Sequence, residues 1–244
     1  MKNFFILSFI ILFISGCAQN YNWSWYVFNP LLSSGSSNIK FLISGFGTTI
    51  LISLFSIFFS LILGFFISLL GMTSNKILIL INRIYIEIFR SVPLLVLLLW
   101  VYYGLPIMFN ITVGPFTAGI ISLAISDSAF ESEIFRAGIQ SIKKGQRDAA
   151  KSIGLDRYQS MRLIILPQAL RVILPAIGNQ FVYVVKMSSL VSIIGLADLT
   201  RKANELVVSV YRPLEIYSFL VLEYLFLILI ISYLVRKLEK KLNN

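Results

Sequence analysis

EIFRAGIQSIKKGQRDAAKSIGLDRYQSMRLIILP, residues 133–167, is a polar, basic stretch with helical patterning set between apolar runs that are each long enough to cross a bilayer. A hydrocarbon core of about 30 Å takes about 20 helical residues. Outward from the insert, spans are expected at about 46–70, 77–103, 116–134, 172–194 and 215–235. The second is predicted to begin as an amphipathic helix over 77–90, with Arg83, Glu87 and Arg90 at helical spacing, and to bend near Pro93. Gly47 and Gly64 suit close helix contact in the first span.

Composition agrees with this reading. Of 244 residues, 57% are hydrophobic and 13% charged, where a soluble domain has roughly 25% charged. The runs do not alternate apolar with polar residues, as the strands of a membrane barrel would. The fold class is therefore an all-α polytopic membrane protein, a five-helix core with a cytoplasmic elbow and an N-terminal signal or extra helix. The chain contains no His and one Cys, Cys17. That removes His-based acid–base catalysis, His/Cys metal sites and an intrachain disulfide, so no catalytic and no metal site is expected.

The net charge of +10 is distributed by side, which argues for membrane orientation and against nucleic acid as a partner. Lys76, Arg83, the cations of the insert and Arg236, Lys237, Lys240 and Lys241 fall on one side; Lys40, Arg201, Lys202 and Arg212 fall on the other. The richer side is cytoplasmic, which places the C-terminus inside and residues 18–40 outside as an exported linker with interfacial Trp23, Trp25 and Tyr26. Residues 1–17 read as a signal-like apolar segment ending in Ile14-Ser15-Gly16-Cys17. Two readings stand: cleavage with lipidation at Cys17, or an uncleaved extra helix. Residues 41–244 form the main domain.

Within the insert, about 136–171, Gly145 and Gly154 are expected to punctuate two helical pieces. Ala149 and Ala150 would let a short helix sit deeply in a groove, Gly154 would allow a left-handed turn, and Leu166-Pro167 with Pro175 would return the chain to the membrane. An amphipathic helix lying on anionic lipid has the same composition. The spacing is more specific. Asp148-Ala149-Ala150, three residues, Gly154, nine residues, Ile164, one residue and Leu166-Pro167 resemble the signature of membrane subunits of bacterial ABC importers. Glu87-Ile88-Phe89-Arg90 with Pro93-Leu94-Leu95, Glu133-Ile134-Phe135-Arg136, Gly145-Gln146, Ile165 to Arg171 and Lys186 before Ser188-Ser189-Leu190 resemble the histidine/glutamine/arginine/glutamate permease family, over about residues 45–238.

The resemblance implies a dimer of permease subunits, homomeric or mixed, with two cytoplasmic ABC ATPases beneath. An extracytoplasmic binding protein would deliver a polar amino acid. The insert would be the coupling helix, with Gly145, Asp148, Ala149, Ala150, Gly154, Leu166 and Pro167 as the ATPase-docking residues. The chain carries no phosphate loop, so ATP and Mg would belong to the partner and no cofactor to this chain. Five positions depart from the family pattern: Asp148 for Glu, Ser91-Val92 for Gly-Thr, Met187 for Asp and Phe130 for Tyr. Met187 puts the identity of the amino acid in doubt.

Charged residues inside spans need a cavity or a partner, since each costs roughly 2.5–3.5 kcal/mol at mid-bilayer. Arg90 lies roughly 10 Å inward of Arg83, and Asp127 roughly 13 Å from Arg136 on an oppositely directed span, so their depths nearly coincide and the two could meet. Arg90, Asp127, Lys186, Ser188 and Ser189 are candidates for the substrate pathway, the last three on a span expected to be broken after Pro175. Glu87, Glu131 and Glu133 are candidates for gating or helix pairing. The bland alternative is that all these charges only staple helices. Two other functions stay open on the residues alone: a secondary transporter with Glu87, Asp127 or Glu131 as proton carriers, and a membrane scaffold using the insert as a docking tab.

Overall fold

A computed structural model describes residues 21–243; Cys17 and the signal-like segment lie outside them. A 3-10 turn at Trp25–Phe28 precedes α1 (Ser33–Ile43) and α2 (Gly45–Gly71). Then follow α3 (Lys76–Ser91), α4 (Leu94–Leu99), a π turn at Trp100–Gly104 and α5 (Leu105–Phe109). After α6 (Pro115–Gln140) the insert holds α7 (Lys144–Ser152), α8 (Arg157–Ser160) and a π turn at Met161–Ile165. α9 (Leu166–Met187), a 3-10 segment at Ser188–Ile194, α10 (Leu199–Val210) and α11 (Pro213–Asn243) complete the chain.

Ser33–Gly71, Arg157–Ile194 and Pro213–Lys241 are long and apolar enough to span, as is the pair Lys76–Ser91 plus Leu94–Phe109 taken together. That pair is bent by 98°. The bend falls at Pro93, where Val92 is extended at ψ 124 because the proline ring disfavours helical backbone in the residue before it. The central helix, α6, falls short on hydropathy because Asp127, Glu131 and several serines dilute it, yet much of its length is buried.

The α2–α6 seam is the spine of the fold. Thr49, Ser53, Ser56, Ser60, Gly64 and Ser68 recur three or four residues apart and are all buried, while Phe58, Phe59, Phe66 and Leu54 face outward. Small residues let two backbones approach where no water drives association. Two of the serine hydroxyls are spent locally, Ser53 on the Thr49 carbonyl at 2.7 Å and Ser68 on that of Phe65 at 2.7 Å. Gly64 marks a close approach of the two helices: a Cβ there would lie 2.6 Å from the Glu131 Cβ and 2.9 Å from the Ser128 carbonyl oxygen. The helices run parallel, with Phe55 against Phe116 and Phe65 against Phe135. Gly47, the other glycine expected at a contact, has no neighbour within 4 Å among the described residues.

Several sequence-based boundaries shift. The first helical span starts at Ser33, inside the stretch expected as a linker. Gly35 packs against the Asn29 backbone and Asn38 donates to the Val27 carbonyl at 3.0 Å, so tertiary contacts override a poor helical sequence. Pro175 lies inside an unbroken α9. The irregularity comes later, in the 3-10 segment that ends at Gly195, φ +88. Gly145 does not separate helices: it sits in the first turn of α7, where the backbone N–H groups lack helical partners anyway.

Candidate functional site

The insert is a rigid elbow. α7 ends in a paired backbone closure, Leu155 N–H to the Ala150 carbonyl at 3.1 Å and Gly154 N–H to the Lys151 carbonyl at 3.0 Å. Gly154 is the left-handed residue at φ +80, the conformation this closure requires and glycine adopts without a Cβ penalty. α8 starts with a reciprocal cap in which Asp156 accepts from the Gln159 N–H at 2.8 Å and Gln159 accepts from the Asp156 N–H at 3.1 Å. The elbow is tied to the membrane helices as well. Arg147 donates to the Ile139 carbonyl at 3.0 Å, and Gln168 bonds Gln146 at 3.2 Å.

Of the residues singled out in the insert, Ala150 is buried at 2% exposure, while Gly145, Asp148, Ala149, Gly154, Leu166 and Pro167 are exposed. Leu166 and Pro167 form the first turn of α9, where proline's missing N–H costs nothing. Exposed Ile153 and Tyr158 add an apolar contact surface. Periodicity hid them, because each stands alone among polar neighbours. A cavity of about 710 Å³ between the two helices is lined by Lys144, Arg147, Asp148, Lys151, Asp156 and Arg157, among others.

A second polar region lies where α3 meets α6. A cleft of about 600 Å³ is lined by Asn82, Arg83, Glu87, Arg90, Glu133 and Arg136, among others. Asn82 fixes one wall by donating to the Ile67 carbonyl at 2.7 Å. Arg90 pairs with Glu133, and its guanidinium also sits 5.1 Å from the Phe130 ring centroid; Arg136 approaches Glu133 at 3.8 Å. Glu87 is exposed. The opposite face of α3 presents Ile77, Leu80, Ile81, Ile84 and Ile88 outward, so the helix turns its charges to the cleft and its isoleucines to an apolar medium.

Arg90 and Asp127 do not meet. Equal depth fixes height but not direction around the helix axis, and Asp127 points into the α2–α6–α9 core. There it is 3% exposed and accepts from Ser60 at 2.9 Å and from Gln180. Glu131, one turn further on the same face, is fully buried, and neither oxygen has a partner among the described residues. Lys186 is exposed near the end of α9. Ser188 and Ser189 donate to the Val185 and Lys186 carbonyls, both at 2.8 Å, which leaves only lone pairs to offer. Sequence reasoning missed Gln180; a lone amide pair, Asn179-Gln180, in an apolar run was the available signal.

A membrane protein with a parallel small-residue seam, a sharply bent second span and a capped polar elbow belongs to the architecture of importer membrane domains. Residues 57–244 match the family described as "Binding-protein-dependent transport system inner membrane component", and the chain belongs to that family. It is 35% identical over 206 residues to the glutamine transport system permease protein GlnP of Escherichia coli K12, covering 84% of this chain and 94% of that protein. It is 35% identical over 206 residues to the arginine transport system permease protein ArtQ of Bacillus subtilis 168, with the same coverage of both chains. Among solved structures, an amino acid ABC transporter crystallised with histidines matches at TM-score 0.80 and 39% identity, covering 85% of this chain and 97% of that one. The MetNI methionine ABC transporter in an inward-facing conformation matches at TM-score 0.73 and 19% identity, over 84% and 98%, a likeness of fold alone. The chain is a multi-pass inner-membrane permease subunit of an ABC importer.

Proposed function

We propose that this permease subunit carries a polar amino acid, pairs with a second permease subunit, and takes its substrate from an extracytoplasmic binding protein. A separate ABC ATPase dimer, seated on the elbow at Asp148, Ala149 and the Gly154 turn, drives it with Mg and ATP; this chain itself is non-catalytic. The elbow and the C-terminus face the cytoplasm. Relatives named for glutamine and arginine transport support the substrate class. The observation that carries the site is the charged cleft. It offers guanidinium groups for a substrate carboxylate and Glu87 and Glu133 for its ammonium, on the face of α3 turned away from its isoleucines.

Because α7, α8 and α9 are joined by backbone closure and capping bonds, closure of the ATPases would move them together and bias the spans between two arrangements. Arg90 would exchange Glu133 for the substrate carboxylate, and Lys186 would guide the amino acid higher in the pathway. Asp127, withdrawn into the core, would hold helices together and leave substrate contact to the cleft. The test is uptake of labelled amino acids by vesicles holding the reconstituted complex. Uptake should require ATP, persist with an uncoupler and fall with Arg90→Ala. Uptake that needs no ATP and collapses with the uncoupler would overturn the assignment.

A further inference from the structure

The stretch before the first span folds back as a strap. Glu215, fully buried at the start of α11, accepts from the Tyr21 hydroxyl and from the Ser24 N–H at 2.8 Å. Arg212 donates to the Asn22 carbonyl at 2.8 Å and lies 5.9 Å from the Tyr26 ring centroid. Val27 is fully buried among Leu42, Ala203, Leu206 and Ile216, and Phe28 stacks on Phe219 at 4.5 Å. With its polar and apolar ties made inward, the strap turns Trp23 and Trp25 outward, 55% and 49% exposed, stacked on each other at 5.8 Å and 14°.

The depth of this pair follows from α11. Arg236 is the first cation after its apolar run. About 30 Å of helix back from Arg236, one hydrocarbon thickness, is Ile216, adjacent to the clamping Glu215. The indoles therefore stand at the membrane–water boundary, where a ring with an apolar body and a polar N–H is best accommodated. Below them, Phe219 passes from the strap into an apolar groove of about 420 Å³ walled by Ile43, Phe46, Leu222 and Phe226, with Glu223, 6% exposed, as the one polar lining residue among those described. Arg212, held on the strap by the Asn22 carbonyl, is the cation beside the clamp at Glu215.

We propose that the strap and this groove form a phospholipid site, with the headgroup phosphate near Arg212, the ester region against Trp23 and Trp25, and an acyl chain in the groove. Which leaflet it occupies, the outer one, rests on the orientation given above; the site itself does not. A bound lipid would tie the corner between α10 and α11 to the bilayer plane. The family match begins at residue 57, so the strap lies outside it.

The test uses the full chain with Trp100→Phe, in nanodiscs, so that all tryptophan emission comes from Trp23 and Trp25. Phosphatidylcholine brominated near the ester end of its chains should quench the emission more than lipid brominated at the chain ends, and aqueous iodide should quench little. Leu222→Trp, with the three native tryptophans changed to Phe, should respond most to lipid brominated further down the chain. Quenching of Trp23 and Trp25 by iodide and not by bromolipid would overturn the proposal, as would insensitivity to both, which would mean that protein covers the indoles. A wrong orientation leaves these results unchanged. It shows instead in impermeant labelling of Ser36→Cys in intact cells.

Discussion

Gly64→Ala separates packing from helix propensity, because Gly47 supplies its control on the same helix. Alanine at Gly64 would bring a Cβ to 2.6 Å from the Glu131 Cβ and 2.9 Å from the Ser128 carbonyl, where carbon atoms pack best at about 3.5–4.0 Å. Neither neighbour is the free end of a flexible chain, so α2 and α6 must part by about 1 Å, and overpacking of this kind costs about 1–3 kcal/mol. At Gly47 nothing among the described residues lies within 4 Å, so alanine gains only the helical preference of about 1 kcal/mol. That preference is common to both sites and cancels in the difference between the two variants, which is therefore about 1–3 kcal/mol, or roughly 2–12 °C in melting temperature for a chain of this length. Fluorescence-detected size exclusion after heating in detergent measures it. Equal melting temperatures for the two variants would refute the claim that the seam is closed by the absence of a side chain at Gly64.

Asp127→Ala should destabilise by about 1–3 kcal/mol, because Ser60 and Gln180 lose their buried acceptor; Asp127→Asn, which keeps an acceptor oxygen, should recover part of it in the same melting assay. Gly154→Ala should cost about 1 kcal/mol through its φ of +80 and reduce the ATPase that co-purifies with the complex. Arg90→Ala removes a half-exposed pair and should change stability by no more than about 1 kcal/mol while uptake falls much further, a split that a purely structural staple would not produce. Asp198, which caps α10, is buried at 0% exposure, and burial raises its carboxyl to about 6. A raised folded-state value favours the protonated form, so its contribution is fully present below about pH 4 and is lost as pH rises through about 6. Asp198→Asn, which can still cap, should flatten that part of the stability–pH profile. An unchanged slope would refute the assignment.

The apolar helical runs, the elbow and the bend at Pro93 were legible because they rest on local signals: run length, charge and a fixed proline torsion. The direction in which a side chain points was not. Asp127 and Glu133 are six residues apart on one helix, and only the packing of α6 against α2 decides which of them reaches Arg90. The early start at Ser33 was hidden for a related reason: its serines and Gly35 are poor helix formers, and what orders them is the Asn29 and Asn38 contacts of a strap that closes from a distance. Pro175 was misread as a break because one missing backbone bond, tolerated inside a helix that is otherwise supported, looks the same in sequence as one that ends it.

The inverted face of α2 has a consequence for how this chain can change over time. Its phenylalanines and leucines carry the hydrophobicity that inserts the helix, yet any greasy side chain would serve there. The hydroxyl-and-glycine stripe contributes almost nothing to insertion but sets the distance between two backbones to within a methyl group. Drift should therefore accumulate on the oily side, and the modest serines should hold still.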